Sequence, residues 1–465
     1  MKTNDLPSSY KDPSGTVFVK NGDVYRQINL SYKDNYDLLR SSGLYDHLVG
    51  AKLLIPHEEL PKDKRIDSAY KIIKPIMIPF ISYPYEWSFS MFQDAALTTL
   101  SIQKTALNYG LSLKDATPFN VQFFRGRPIF IDTLSFEKYN PGLPWVAYRQ
   151  FCESFLAPLS LMAYKDVRLT KLMITFLGII PLDLASRLLP VSATLNPSIL
   201  IHVKLHASSQ KKWQGEQISS QSPKSSFSRH SFLGLIDSLE NTIKGLKVRK
   251  KYSPWSKYYT EDKKFNYNQE GFSHKKNIVQ KFLKVVKPNI VYDFGANTGI
   301  FSQIAAGSDN VDFTLSIDSD HDAVEANYQN LKSSKETRIL PLWIDLTNPT
   351  ASLGFENQER DSILKRIKPD TILALALIHH LALGNNIPLE RLAEFFARLC
   401  RNLIIEFVPK EDENAAALIN NRSDLFKNYS KQGFEKEFGQ YFHTKAQETI
   451  PNSSRLIYLL TKKST

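Results

Sequence analysis

The fold of the second half of the chain is predicted most clearly by one stretch, Ile290-Val-Tyr-Asp-Phe-Gly-Ala-Asn-Thr-Gly-Ile-Phe-Ser302. Its apolar beginning, Ile290–Tyr292, predicts the end of a buried strand, and 300–306 predicts a helix. The glycines of the intervening 295–299 turn let the backbone approach a ligand and adopt angles that a β-carbon would forbid. Strand, glycine turn and helix together predict the front of a nucleotide-binding βαβ unit.

The spacing of these glycines does not fit a dinucleotide. A G-x-G-x-x-G fingerprint that starts at Gly295 would need glycine at Asn297 and a small residue at Ile300. Asparagine is one of the few other residues that tolerate a positive φ. The turn is therefore expected to form, but a bound pyrophosphate is not favoured.

The sequence Asp293-Phe-Gly-Ala-Asn-Thr-Gly299 resembles instead the first motif of class I S-adenosylmethionine-dependent methyltransferases. The resemblance implies an α/β fold with a Rossmann-like sheet and S-adenosyl-L-methionine as the cofactor. It also implies that Asp293, Gly295, Asn297 and Gly299 shape the side of the site that holds the methionine and ribose.

Two further aspartates stand at strand ends in the order that this family shows. Asp318 follows the strand-like 313–317 about 20 residues after the glycine turn, where a ribose-binding carboxylate is expected. Asp345 follows the strand-like 340–344. The resemblance implies that Asp318 binds the ribose hydroxyls and that Asp345 meets the adenine amine.

A histidine pair follows the fourth predicted strand, 371–378. Ligands of doubly wound sheets bind at the carboxyl ends of the strands. A histidine there can accept a proton from a hydroxyl or amine as the methyl group arrives. We therefore predict that His379 or His380 is catalytic, and the sequence leaves open which of the two.

The methyl acceptor is not identified by any motif. The phrase Leu377-Ile-His-His-Leu-Ala-Leu-Gly-Asn-Asn386 resembles bacterial nodulation-type methyltransferases, but this likeness supplies no substrate. The Asn-Pro-Pro-Tyr motif of adenine and glutamine methylation is absent, and strand four shows no carboxylate cluster for a metal. A hydroxyl or amine of a small molecule or glycan is the expected acceptor.

The first half of the chain carries a different pattern: a helix, Asp115, four residues, Asn120, a hairpin and Asp132. This order resembles the protein-kinase-like fold of the aminoglycoside phosphotransferases. The resemblance implies that Asp115 is a catalytic base and that Asn120 and Asp132 bind magnesium. No glycine-rich loop lies near 14–24 and Arg26 is the nearest candidate for the strand lysine, so all three side chains could instead stabilise turns.

Composition and local patterns predict three parts. Residues 1–206 form an α+β accessory domain that begins with a hairpin around Asn21-Gly22. Residues 207–230, rich in Ser, Gln and Lys, form a polar linker. Residues 231–465 form the methyltransferase domain. A phosphotransferase or a non-catalytic ligand-binding module remains the alternative for the first part.

The composition of the 465 residues indicates which partners and which cellular compartment to expect. The net charge of +12 is scattered, so nucleic acid is possible as a partner but is not favoured. Cys152 and Cys400 are the only cysteines and give no metal or disulfide pattern, which is typical of a reducing cytoplasm. The stretch 1–9 has no apolar core, so we expect no signal peptide. The longest apolar run, 172–182, is too short to span a bilayer and contains Pro181, so we expect no transmembrane segment. The oligomeric state is left open.

Overall fold

The computed structural model describes residues 4–60, 69–205, 227–248, 269–419 and 428–464. Their contacts divide the chain into two compact units. The first contains the described residues up to 248 together with Ser352–Asp361, and the second contains 269–351 and the described residues from Ser362 onward.

The boundary between the units differs from the predicted division at 206 and 231. Helix Arg229–Gly245 belongs to the first unit, because it packs on helix Phe89–Asn108. Lys104 Nζ lies 2.5 Å from Asp237 Oδ1. Gln93 Nε2 donates to the carbonyl of Ile243 at 2.7 Å. An amphipathic stripe shows that a helix is covered but does not say by which domain. Most of the predicted linker, 207–226, lies outside the described residues.

The first unit begins with a five-stranded antiparallel sheet in the order β1-β2-β3-β5-β4. The predicted hairpin is confirmed, because β2 and β3 pair through a turn in which Asn21 has φ 55° and Gly22 has φ 87°. The strands are β1 Asn4–Asp5, β2 Gly15–Lys20, β3 Asp23–Asn29, β4 His57–Leu60 and β5 Ala69–Pro75.

The remainder of the first unit is mainly helical. Two small antiparallel pairs follow helix Phe89–Asn108: β6 Leu111–Leu113 with β9 Phe136–Lys138, and β7 Val121–Phe124 with β8 Arg127–Phe130. The other α-helices are Lys33–Ser41, Leu44–Gly50, Tyr148–Phe151, Ala157–Tyr164, Leu172–Thr175, Leu182–Leu188, Pro197–Ile199 and Arg229–Gly245. The unit is therefore α+β, as predicted.

The second unit is built on a seven-stranded sheet in the order β12-β11-β10-β13-β14-β16-β15. Neighbouring strands among β10, β11, β12, β13 and β14 are parallel, whereas β16 is antiparallel to both β14 and β15. This order confirms the predicted Rossmann-like α/β fold. The strands are β10 Ile290–Phe294, β11 Phe313–Asp318, β12 Ile339–Trp343, β13 Thr371–Ala374, β14 Asn402–Phe407, β15 Phe442–Thr449 and β16 Leu456–Lys462.

Helices cover both faces of this sheet, which explains why its inner strands are apolar on both sides. A buried cluster joins Phe282 and Leu283 of the first helix to Val291, Leu373 and Ile404 on three strands. The α-helices of this unit are Gln269–Val286, Ile300–Ala306, His321–Ser334, Ile363–Arg366, Leu389–Leu399, Glu413–Ile419 and Lys431–Tyr441.

The fourth strand is shorter than predicted. We expected it to run from 371 to 378, but β13 ends at Ala374 because Ala376 adopts a left-handed φ of 50°. A short π-helix, His380–Gly384, follows. The chain therefore leaves the sheet early and turns across the strand ends. No helix among the described residues is long and apolar enough to cross a bilayer.

Candidate active site

A cavity of about 310 Å³ opens where β10, β11, β12 and β13 end. Five of the predicted site residues line it together: Gly295, Asn297, Asp318, Asp345 and His380. They come from four different strand ends and span 86 positions of sequence, which is the convergence expected at the carboxyl edge of a parallel sheet.

The glycine turn is tied to the neighbouring strand. The N–H groups of Gly295 and Ala296 donate to the carbonyl of Ile317 at 2.9 and 3.0 Å. Gly295 has φ 74° and Asn297 has φ 51°, so the predicted tolerance of asparagine for this geometry is used. A Cβ at Gly295 would lie 3.2 Å from Leu377 Cδ1, which is tighter than an ordinary contact. Glycine thus keeps the wall of the cavity open.

Asp318 is fixed by two backbone N–H groups. Asn297 donates to its Oδ2 at 2.7 Å and Asp320 donates to its Oδ1 at 2.8 Å. Burial raises the pKa of Asp318 to about 6, although these hydrogen bonds oppose the rise. Each carboxylate oxygen can still accept a second hydrogen bond. Asp318 can therefore receive ligand hydroxyls without leaving its position.

The charged side chains in the described lining of the cavity are acidic. Asp345 is exposed at the end of β12, and its Oδ1 accepts from Thr347 N–H at 2.8 Å and from the Thr347 hydroxyl at 2.7 Å. Asp318, Asp320 and Asp345 all line the cavity, whereas no lysine or arginine is among its described lining residues. A site of this kind favours a cationic ligand over an anionic one.

The two histidines occupy different environments although their ring centroids are 4.2 Å apart. His380 lines the cavity, whereas His379 is 2% exposed and its Nδ1 has no hydrogen-bond partner among the described residues. Burial lowers the pKa of His379 well below its ordinary range, and burial beside Arg455 lowers the pKa of His380. A neutral imidazole at His380 can accept a proton inside the cavity.

Asp293, Gly299 and His379 were predicted in the site but lie outside the lining. Asp293 is buried and accepts a hydrogen bond from the Ser302 hydroxyl at 2.7 Å. Burial raises its pKa to about 7. A Cβ at Gly299, which has φ 84°, would lie 2.3 Å from Asn327 Oδ1. Asp293 and Gly299 therefore hold the turn in place rather than face a ligand.

Four polar lining residues were not predicted from the sequence: Ser319, Asp320, Thr347 and Asn414. Asp320 caps helix His321–Ser334 through the N–H groups of 322 and 323. Its position two residues after Asp318 was a capping signal that could have been used. Asn414 lies in helix Glu413–Ile419. It is far in sequence from the other lining residues, and no local pattern predicts that it lines the cavity.

The candidate magnesium residues of the first unit make internal contacts. Arg26 Nη1 lies 2.5 Å from Asp132 Oδ1, and the same carboxylate accepts from Leu134 N–H at 3.0 Å. Asn120 Nδ2 donates to the Ser135 hydroxyl at 3.1 Å. Burial and nearby Asp132 raise the pKa of Asp115. A cation at Asp132 would have to displace the guanidinium.

Among the described residues, no group of three or more His, Cys, Asp or Glu side chains is placed to hold a metal ion. The assignment of Asp115 as a catalytic base and of Asn120 and Asp132 as magnesium ligands stays a prediction from the resemblance.

The fold and the cavity together define a Rossmann-like α/β unit of the methyltransferase type, with its last strand antiparallel. No protein-family model matches the chain. The chain is 31% identical over 460 residues to nodulation protein NoeA of Rhizobium meliloti (strain 1021), and the match covers 97% of this chain and 95% of that protein. The chain belongs to the family of this nodulation protein.

Solved structures with methyltransferase folds are also similar to part of the chain. The N-methyltransferase NodS from Bradyrhizobium japonicum WM9 is 8% identical, with 42% of this chain and 99% of that chain covered and a TM-score of 0.31. A putative O-methyltransferase from Nostoc punctiforme PCC 73102 is 16% identical, with 41% and 56% covered and a TM-score of 0.31. The fold of the second unit is defined by its own strand order. These structural similarities are too weak to support a further conclusion.

Proposed function

We propose that the second unit is an S-adenosylmethionine-dependent methyltransferase that acts on a hydroxyl or amine of a small molecule or glycan. The observation that carries this proposal is the meeting of Asp318 and Asp345 in one cavity with the glycine turn. Two carboxylates from neighbouring strand ends are suited to hold the ribose and the base of a single adenosine.

The charge of the cavity supports the same cofactor. The sulfonium of S-adenosyl-L-methionine is a cation and supplies an activated methyl group. Asp318, Asp320 and Asp345 line the cavity without a lysine or arginine among its described lining residues, so a positive ligand is stabilised there. The same absence of basic lining disfavours phosphate-rich acceptors such as nucleic acid, despite the net charge of +12.

Each lining residue has a distinct task in the proposed reaction. Gly295 and Asn297 bring the backbone close to the methionine and ribose, Asp318 accepts from the ribose hydroxyls, and Asp345 accepts from the adenine amine. His380 would take the proton of the acceptor as the acceptor's bond to the methyl carbon forms and the bond from that carbon to the sulfonium sulfur breaks, which leaves S-adenosylhomocysteine. Because methyl transfer is an in-line displacement, alignment of the acceptor is expected to contribute much of the rate.

The experiment that tests methyl transfer compares metabolites of cells that carry the wild-type chain or the Gly295→Arg variant, both grown with methyl-labelled methionine. Arginine at 295 would fill the cavity, since even a Cβ there is tight against Leu377. Gly439→Arg is the matched control, because a Cβ at Gly439 meets nothing within 4 Å.

We expect at least one labelled compound in wild-type and Gly439→Arg cells that is missing with Gly295→Arg. The same labelled compounds in all three strains would contradict the proposal.

A further inference from the structure

Four charged side chains are buried together beneath the end of strand β13. Lys275 is 1% exposed, Glu406 and Arg455 are 0% exposed, and Asp412 is 9% exposed. Lys275 Nζ donates to Glu406 Oε2 at 2.6 Å. Arg455 donates to both oxygens of Asp412 at 2.7 and 2.9 Å and to Glu406 Oε1 at 3.5 Å. We call these residues the buried charge cluster.

A backbone N–H group in the wall of the cavity contacts the cluster. Ala376 N–H donates to Glu406 Oε2 at 2.9 Å. Ala376 has a left-handed φ of 50°, which is unfavourable for a residue with a β-carbon. Strained backbone of this kind persists only where its surroundings hold it in place. The carboxylate of Glu406 is the group that accepts from this strained residue.

The strained turn forms one wall of the cavity. Leu375, Ala376 and Leu377 all line it, and Leu377 packs against the position where a Cβ of Gly295 would stand. A change in the backbone at Ala376 would therefore move the wall that faces the glycine turn. Glu406 itself is fully buried and is not among the lining residues, so it does not contact a ligand.

We propose that Glu406 is a positioning residue for the cofactor site: its carboxylate fixes the left-handed turn at Ala376 and so sets the width of the cavity between Leu377 and Gly295. This inference rests on the proposed function, because it assumes that the cavity binds S-adenosyl-L-methionine. Lys275 and Arg455 balance the charge of Glu406 and Asp412, which allows the carboxylate to stay buried.

The test must separate this role from the general cost of disturbing buried charges. Replacing Glu406 alone by glutamine would leave Lys275 and Arg455 facing one carboxylate, and uncompensated buried charge destabilises a fold. Two double variants avoid the imbalance: Glu406→Gln with Lys275→Met, and Glu406→Leu with Lys275→Met. Both remove one charge of each sign, but only glutamine can still accept from Ala376 N–H.

Calorimetric titration of the full chain with S-adenosylhomocysteine is the readout. We expect the Gln/Met variant to bind within about threefold of the wild type, because one net hydrogen bond is kept. We expect the Leu/Met variant to bind at least about tenfold more weakly. Equal affinity of the two double variants would overturn the positioning role. If the wild type itself does not bind, the proposed function fails instead.

A third variant decides the matter if the Leu/Met chain does not fold. Glu406→Asp keeps the charge balance but withdraws the carboxylate by one methylene from Ala376 N–H. We expect this variant to show the circular dichroism spectrum of the wild type and to bind S-adenosylhomocysteine at least about tenfold more weakly, by the same loss of one hydrogen bond. Wild-type affinity in Glu406→Asp would refute the proposal.

Discussion

Replacement of Asp293 by asparagine should stabilise the protein at alkaline pH. Asp293 is 2% exposed and accepts a hydrogen bond from the Ser302 hydroxyl, which an asparagine carbonyl can also accept. Burial raises the pKa of Asp293 from 3.8 to about 7. The folded chain therefore prefers the neutral acid, and it loses stability when the pH forces that acid to ionise.

The magnitude follows from the two pKa values. Between them the folded protein keeps a proton that the unfolded chain has released, so stability falls as the pH rises through this window. The loss is about 1.36 kcal/mol per pH unit, or about 3 kcal/mol from pH 5 to pH 7, and it stays constant above that. The asparagine variant does not ionise and escapes this loss.

Urea unfolding at pH 5, 6, 7 and 8, followed by circular dichroism, measures the effect. The free energy of unfolding of Asp293→Asn minus that of the wild type should rise by about 3 kcal/mol between pH 5 and pH 8. Asp309→Asn is the control, because Asp309 is exposed in the same unit. A difference that does not change with pH would refute the conclusion that burial raises the pKa of Asp293.

Three further predictions concern the sites directly. Affinity for S-adenosylhomocysteine should be constant above about pH 7 and fall about tenfold per pH unit below pH 6, because protonation of Asp318 removes the acceptor of the ribose hydroxyls. Calorimetric affinities that stay constant down to pH 5 would exclude that role of Asp318. Gly299→Ala should lower the melting temperature by several degrees, since its Cβ would collide with Asn327 at a residue with positive φ. Gly439→Ala, in an open helix position, should raise the melting temperature slightly. Equal shifts of the two variants would contradict the close packing of Gly299 against Asn327. Magnesium with ATP should leave the melting temperature unchanged, because a guanidinium already pairs with Asp132; a clear upward shift would favour phosphotransfer instead.

The frame of the second unit could be predicted from sequence because its signals are local. Apolar runs bounded by Gly295, Asp318 and Asp345 mark strand ends, and parallel strands bring such ends to one edge. The order of elements then fixes which side chains meet. The Rossmann-like sheet of the second unit confirms the fold that these signals predict.

Features that depend on tertiary contacts could not be predicted in this way. Nothing in the letters around Ala376 shows that a buried carboxylate 30 residues later will hold it in a left-handed turn. Likewise, helix Arg229–Gly245 and the segment Ser352–Asp361 belong to the first unit because of their contacts with it. The periodicity of apolar residues in the sequence does not show which unit a segment contacts. The choice between His379 and His380 also needed burial, because the two residues are adjacent in sequence.

The central claim is that the cavity at the strand ends binds an adenosine through Asp318. Calorimetric titration of the wild-type chain with S-adenosylhomocysteine, beside Asp318→Ala and the exposed control Asp309→Ala, tests it most directly. Saturable binding of one molecule to the wild type and the control, and no measurable binding to Asp318→Ala, is the predicted result. Equal affinity in all three proteins, or no binding to the wild type, would contradict it.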